Sequence, residues 1–136
     1  MTPTVLIADP DRNARDGLCQ SLTRRGYQVH SAEGGVQCLR LLNELQPDLL
    51  VLDLELCWGG ADGVLAVMRE DPLLRHIPVA VTSSATQTFR HDWPSPPVVC
   101  TLAKPYPVQR LLDHLDSSAP TAGFLTLLPL ASAGCG

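Results

Sequence analysis

Four short apolar runs, Val5-Leu6-Ile7-Ala8, Leu49-Leu50-Val51-Leu52, Val79-Ala80-Val81 and Val98-Val99-Cys100, stand out from the more polar chain around them. Runs this short and this continuously apolar are the pattern of parallel strands covered on both faces. A fifth run, Tyr27-Gln28-Val29-His30, alternates apolar and polar and predicts a less buried strand. Between the runs the period changes to that of a helix. Ala14, Leu18 and Leu22 recur at helical spacing before Gly26, and Leu39, Leu42 and Leu45 do so before Pro47. Val64, Val67 and Met68 mark a third helix, and Val108, Leu111, Leu112 and Leu115 give the i, i+3, i+4, i+7 stripe of the last. Strands alternate with helices, so the expected class is α/β, with a doubly wound five-stranded parallel sheet.

The crossover over residues 84–97 breaks this regularity, because Pro94, Pro96 and Pro97 would interrupt any helical ladder there. A short or degraded fourth helix, ending near Trp93, is the expectation. After Leu115 the composition shifts to Ser117, Ser118, Pro120 and Gly123, then to the apolar stretch from Phe124 to Leu130. The expected organisation is one domain over residues 1–118 and a C-terminal tail over 119–136. That tail is either poorly ordered or lies on the domain's own surface, or else it docks a partner. A single domain also suits 136 residues with 45% hydrophobic content, since roughly 100–200 residues form one core.

Charge and cysteine content narrow the partners and the compartment. The net charge of -4 disfavours nucleic acid and anionic lipid, leaving proteins as the expected partners. The five cysteines, Cys19, Cys38, Cys57, Cys100 and Cys135, are widely spaced and odd in number, and read as buried thiols in a reducing compartment. Asp9 and Asp11 interrupt the only apolar stretch near the start, so no signal peptide is expected. No run approaches the ~20 apolar residues that span a bilayer. The expected location is therefore the cytoplasm, with no membrane span. His30, His76, His91 and His114 show no ligand spacing and receive no role.

Candidate chemistry gathers at the strand ends. Ligands of an open parallel sheet sit beyond the carboxyl ends of its strands. There the sequence places Asp9-Pro10-Asp11, Asp53, Thr82-Ser83 and, shortly after the last apolar run, Lys104. Carboxylates crowded together repel unless a cation joins them, and hard oxygen donors suit Mg2+. A lysine ammonium and a threonine hydroxyl suit the oxygens of a phosphoryl group, and the Asp53 carboxylate can act as a nucleophile toward phosphorus. Each residue also has a plain alternative: Asp11 as a helix cap, Thr82 as a turn residue, Lys104 as a solvated charge. Their joint placement favours an aspartyl-phosphate site.

The motifs Val5-Leu6-Ile7-Ala8-Asp9, Pro47-Asp48, Leu52-Asp53, Asp62-Gly63, Thr82-Ser83 and Lys104-Pro105 resemble those of bacterial response-regulator receiver domains, a CheY-like family of two-component signalling. The likeness extends over about residues 4 to 116. It implies a flavodoxin-like fold and no enzymatic turnover beyond the phosphoacceptor site. It also implies that Asp53 accepts a phosphoryl group from a histidine kinase or phosphotransfer protein and that the domain then signals to a downstream protein target. By the same resemblance Asp9 and Asp53 help hold Mg2+ with the backbone carbonyl of Glu55. Thr82 and Lys104 bind the phosphoryl group, and the Lys104–Pro105 peptide is cis.

Three positions depart from the family pattern. Pro10 takes the second place of the acidic pair and offers no side-chain ligand, which predicts a lowered Mg2+ affinity; Asp11, one position further on, is the residue that could compensate. The loop from Leu54 to Ala61 is about two residues longer than usual and carries Cys57 and Trp58, the latter packing on its neighbours, shielding Asp53 or anchoring a partner. Thr101 replaces the family's switching aromatic residue.

Three functional readings follow. The first is a standalone receiver phosphorylated on Asp53. The second is a phosphorylation-independent pseudo-receiver that binds a partner, motivated by Pro10, Thr101 and the prolines. The third, remote, is a haloacid-dehalogenase-like phosphatase, because Asp9-Pro10-Asp11 after a strand also fits that family's acidic pair.

Overall fold

A computed structural model describes residues 2–56, 60–84 and 97–118. Its elements are β1 (Thr4–Ala8), α1 (Arg12–Arg24), β2 (Gln28–Ala32), α2 (Gly35–Leu45), β3 (Leu49–Asp53), α3 (Gly60–Glu70), β4 (Val79–Ser83), β5 (Val98–Ala103) and α4 (Gln109–Ser118). The strands form one five-stranded sheet in the order β2-β1-β3-β4-β5. Every neighbouring pair is parallel. This is the doubly wound architecture that the alternation of strand and helix predicts, and the flavodoxin-like fold that the family resemblance implies. The fourth-helix expectation over 84–97, the Cys57–Trp58 segment and the 119–136 tail lie outside the described residues.

Side-chain alternation along the strands separates two apolar layers. Leu6, Ala8, Leu50, Leu52, Val79 and Val81 point to one face, where Cys38 and Leu42 of α2 and Ala61, Val64, Leu65 and Met68 of α3 cover them. Val5, Ile7, Leu49, Val51 and Ala80 point to the other, against Leu22 of α1 and Leu111, Leu112 and Leu115 of α4. The central strands β1, β3 and β4 therefore bury both faces, which is why they read as continuous apolar runs. β2 and β5 lie at the edges and have exposed positions. One sequence expectation differs in detail: Val67, counted with the third helix's apolar positions, is 43% exposed, while Leu65 is buried. Val64, Leu65 and Met68 form the stripe that packs; Val67 lies beside it on the solvent side.

The helix ends follow local chemistry. Asp11 caps α1, its Oδ1 accepting from the Asn13 amide at 3.0 Å. After α1 the chain turns at Gly26, whose φ of 95° suits glycine. α2 ends at Gln46, in the left-handed region at φ 48°, immediately before Pro47.

Strand register decides what meets at the carboxyl edge. Ala8 pairs with Leu52, Asp53 with Thr82, and Ser83 with Ala103. The residues at and just beyond those pairs, Asp9, Asp53, Thr82 and Lys104, are thereby brought to one edge of the sheet.

Candidate functional site: an acidic pair bridged by a lysine

Asp53 is the last residue of β3 and is 1% exposed. Its Oδ1 accepts from the Glu55 amide at 2.8 Å, and its Oδ2 accepts from Thr82 Oγ1 at 3.0 Å. Thr82 sits next to it on β4, itself 1% exposed. The Leu54 amide donates to the Thr82 carbonyl at 2.9 Å, tying the loop after β3 to β4.

Lys104 follows β5, and its amide donates to the Ser83 carbonyl at 2.8 Å. That anchor sets its side chain over the end of β4, where Nζ lies 2.7 Å from Asp53 Oδ2 and 2.6 Å from Asp9 Oδ2. The Lys104–Pro105 peptide is cis. Asp9, just beyond β1 and 5% exposed, accepts a second bond on Oδ1 from the Asp11 amide at 2.8 Å.

The electrostatics follow from burial. Desolvation acts to lower the pKa of Lys104, but the hydrogen bonds it donates to Asp53 and Asp9 outweigh it and push the value up to about 12. Burial raises the carboxyl of Asp9 above its ordinary value, with the Lys104 and Asp11 bonds pulling in the opposite sense. Two carboxylates against one ammonium leave one uncompensated negative charge at the edge.

The Thr82 hydroxyl and the Lys104 ammonium thus converge on the same oxygen of the Asp53 carboxylate. Together they can stabilise a group whose own oxygens are anionic. The sequence-derived site residues Asp9, Asp53, Thr82 and Lys104 come together here. Asp11 does not join them with its side chain, which caps α1. The Glu55 side chain accepts from Ser84 Oγ at 2.8 Å, linking the loops after β3 and β4. Among the described residues, no group of three or more His, Cys, Asp or Glu side chains is placed to hold a metal ion. Asp9 and Asp53 are the two carboxylates that Lys104 joins at this edge.

Two features were not read from the sequence. Tyr106, two residues beyond Lys104, lines a groove of about 340 Å³ together with Ala14, Gly17, Leu18 and Val108, and the groove reaches Asp9 and Lys104. Burial pushes the Tyr106 phenol up to about 12. Arg15 reaches back from α1 to the loop carrying Asp9, with Nη1 2.9 Å from the Asp9 carbonyl and 3.3 Å from that of Pro10. A cation one helical turn beyond the Asp11 cap was the available signal for Arg15. Among the described residues, no helix is long and apolar enough to cross a membrane.

Comparison with known proteins agrees with this fold. The transcriptional regulatory protein AfsQ1 of Streptomyces coelicolor is 44% identical over 61 residues, 45% of this chain and 26% of its own length. The chain thus matches only about a quarter of that relative. The polar-differentiation response regulator DivK of Brucella ovis is 27% identical over 118 residues, covering 86% of this chain and 96% of DivK. Among solved structures, the response regulator TrrA of Thermotoga maritima in complex with Mg(2+)-BeF superposes with a TM-score of 0.74 at 21% identity, covering 87% of this chain and 99% of TrrA. Residues 5–116 match the response regulator receiver domain family, and the chain belongs to that family.

Proposed function

We propose that this domain is a phospho-receiver: Asp53 accepts a phosphoryl group from a phosphohistidine on a kinase or phosphotransfer protein, and the modified domain signals to a protein target. The observation that carries this reading is the convergence of Lys104 Nζ and Thr82 Oγ1 on Asp53 Oδ2, at 2.7 and 3.0 Å. In the transfer, a carboxylate oxygen of Asp53 forms the new P–O bond as the donor's P–N bond breaks, and the released imidazole takes up a proton. The Lys104 ammonium and the Thr82 hydroxyl offset the charge on the phosphoryl oxygens, and the Glu55 amide orients the carboxylate through Oδ1.

The donor set fits a weak Mg2+ site. Asp9, Asp53 and the Glu55 carbonyl are hard oxygen ligands, and the uncompensated negative charge favours a divalent ion. Pro10 contributes no ligand and Asp11 is engaged as a cap, so affinity is expected to be lower than with a full acidic pair. When bound, Mg2+ supplies positive charge against the phosphoryl oxygens. TrrA, which shares this fold, forms a Mg(2+)-BeF complex.

Incubation with acetyl phosphate or a phosphorylated kinase in the presence of Mg2+, followed by intact mass spectrometry, tests the assignment. One phosphoryl group is expected on the wild type and none on Asp53→Asn. Equal labelling of the two proteins would overturn the role of Asp53.

Pro10 supports a second reading, a pseudo-receiver that binds its partner in one state. On that reading the wild type takes no phosphoryl group, and Asp53→Asn binds the partner as tightly as the wild type does.

A further inference from the structure

The loop Asp9-Pro10-Asp11 carries one of the two carboxylates of the site, yet it has few internal means of holding its shape. Pro10 has no amide hydrogen to donate, and the Asp11 side chain is turned to the helix. Three successive carbonyls of this loop instead converge on one residue of α1. Arg15 Nη1 donates to the Asp9 carbonyl at 2.9 Å and to the Pro10 carbonyl at 3.3 Å, and the Arg15 amide donates to the Asp11 carbonyl at 3.0 Å. The first two bonds are partly buried and come from a permanently charged donor, which makes them stronger than neutral ones.

We infer that Arg15 is the positioning residue of the site: its guanidinium braces the acidic loop from outside and so holds Asp9 against Lys104. The chain of contacts is short. Arg15 fixes the Asp9 and Pro10 carbonyls; the Asp11 amide is then held toward Asp9 Oδ1 at 2.8 Å; Asp9 Oδ2 receives Lys104 Nζ at 2.6 Å; and the same Nζ reaches Asp53. Arg15 does not itself touch Asp53. It acts by keeping Lys104 where Asp53 needs it.

The inference rests on the phospho-receiver reading for its consequence but not for its structural test. Amide hydrogen exchange, followed by NMR in metal-free buffer, reads the brace directly at Asp11. In Arg15→Met the Asp11 amide is expected to exchange about tenfold faster or more, while the amides of Leu50 and Leu52 in the central strand keep their wild-type rates. Arg15→Lys, which retains a charged donor, is expected to recover most of the protection. Should Arg15→Met fail to fold, Arg15→Gln, with a neutral donor, gives the same comparison at partial strength.

The rate of phosphoryl acceptance from acetyl phosphate is expected to fall about tenfold in Arg15→Met and to return in Arg15→Lys, because small misplacements of a charge-stabilising group are costly. Unchanged Asp11 exchange in both the Met and Gln variants would overturn the inference, as would failure of Arg15→Lys to restore protection in a folded protein. A wild type that accepts no phosphoryl group would instead count against the phospho-receiver reading and leave the exchange comparison to decide the role of Arg15.

Discussion

Lys104 reaches Asp53 across an intervening strand, since β4 separates β5 from β3, and the two side chains meet at 2.7 Å. Asp9 completes the pair from the other side at 2.6 Å. One ammonium, with a side chain 22% exposed, thus serves two carboxylates that are 7% and 1% exposed. Buried charges of one sign are tolerated only while the opposite charge is present.

Lys104→Met is therefore expected to lower stability by about 3–5 kcal/mol near neutral pH, the usual cost of leaving buried charges without their partner. Mild acid should recover part of the loss, because protonation removes the charge that the lysine had compensated. Urea unfolding of both proteins at neutral and mildly acidic pH checks both points. A loss below about 1 kcal/mol would show that water, rather than Lys104, satisfies the two acids.

Alkaline pH should destabilise the fold through three groups acting in the same sense. In Lys104, hydrogen bonds to the two acids outweigh desolvation and raise the pKa from 10.5 to about 12. Burial raises Tyr106 from 10.0 and Cys38 from 9.0, each to about 12. A pKa raised in the folded state means that the folded protein keeps its proton where the unfolded chain has released it. The stability contributed is complete below the unfolded pKa and is lost as pH climbs through the folded value. The urea midpoint should fall progressively from about pH 9 to about pH 12, and Tyr106→Phe should flatten the part of that slope above about pH 10. An unchanged slope in Tyr106→Phe would mean that the phenol ionises equally in both states.

Much of this site could be read in the sequence because strand ends convert chain position into spatial position. Asp53 and Thr82 end adjacent strands in register, so two apolar runs followed by polar residues were enough to bring them together. Lys104 required the additional expectation that the loop after β5 turns back over β4. The edge strand was less well defined: β2 begins at Gln28 and runs to Ala32, because an alternating segment has no sharp apolar boundary. Val67 lies in the predicted helix yet is exposed, because, on a helix of three turns, one residue beside the apolar stripe satisfies the same spacing as one within it. Arg15 was missed for a different reason. A long side chain folding back onto backbone carbonyls leaves no periodic trace, and carbonyl acceptors are the same in every residue type.

Restoring the missing acid should raise divalent affinity. Pro10→Asp adds one negative charge beside Asp9, and a unit charge about 4 Å from a divalent ion contributes on the order of 2 kcal/mol even at the dielectric of water. Mg2+ affinity measured by calorimetry should rise at least about tenfold, since 1.4 kcal/mol corresponds to that factor. Unchanged affinity would mean that a side chain at position 10 does not face the pocket between Asp9 and Asp53.

Gly17 lies inside α1, and a Cβ built there meets nothing within 4 Å. Gly17→Ala should therefore stabilise the protein by about 0.5–1 kcal/mol, the difference in helix propensity and unfolded-chain entropy between the two residues. Thermal unfolding at constant pH checks this, and a destabilised variant would point to a steric demand from the groove side of the helix.

Asp11 offers a clean separation between a structural and a metal-binding role. Its Oδ1 accepts from the Asn13 amide at 3.0 Å, the bond expected of a helix cap, while its own amide supports Asp9. Serine caps a helix about as well as aspartate but is a poor Mg2+ ligand; alanine does neither. If capping is the whole role of the side chain, Asp11→Ala loses about 1 kcal/mol of stability and Asp11→Ser loses a few tenths, chiefly from the helix-dipole interaction of the carboxylate. Mg2+ affinity should then be nearly equal in the two variants and close to wild type, because both keep the amide that orients Asp9. A tenfold loss of Mg2+ affinity shared by Ser and Ala, with stability lost only in Ala, would instead make Asp11 a ligand, the substitute for the acid that Pro10 lacks.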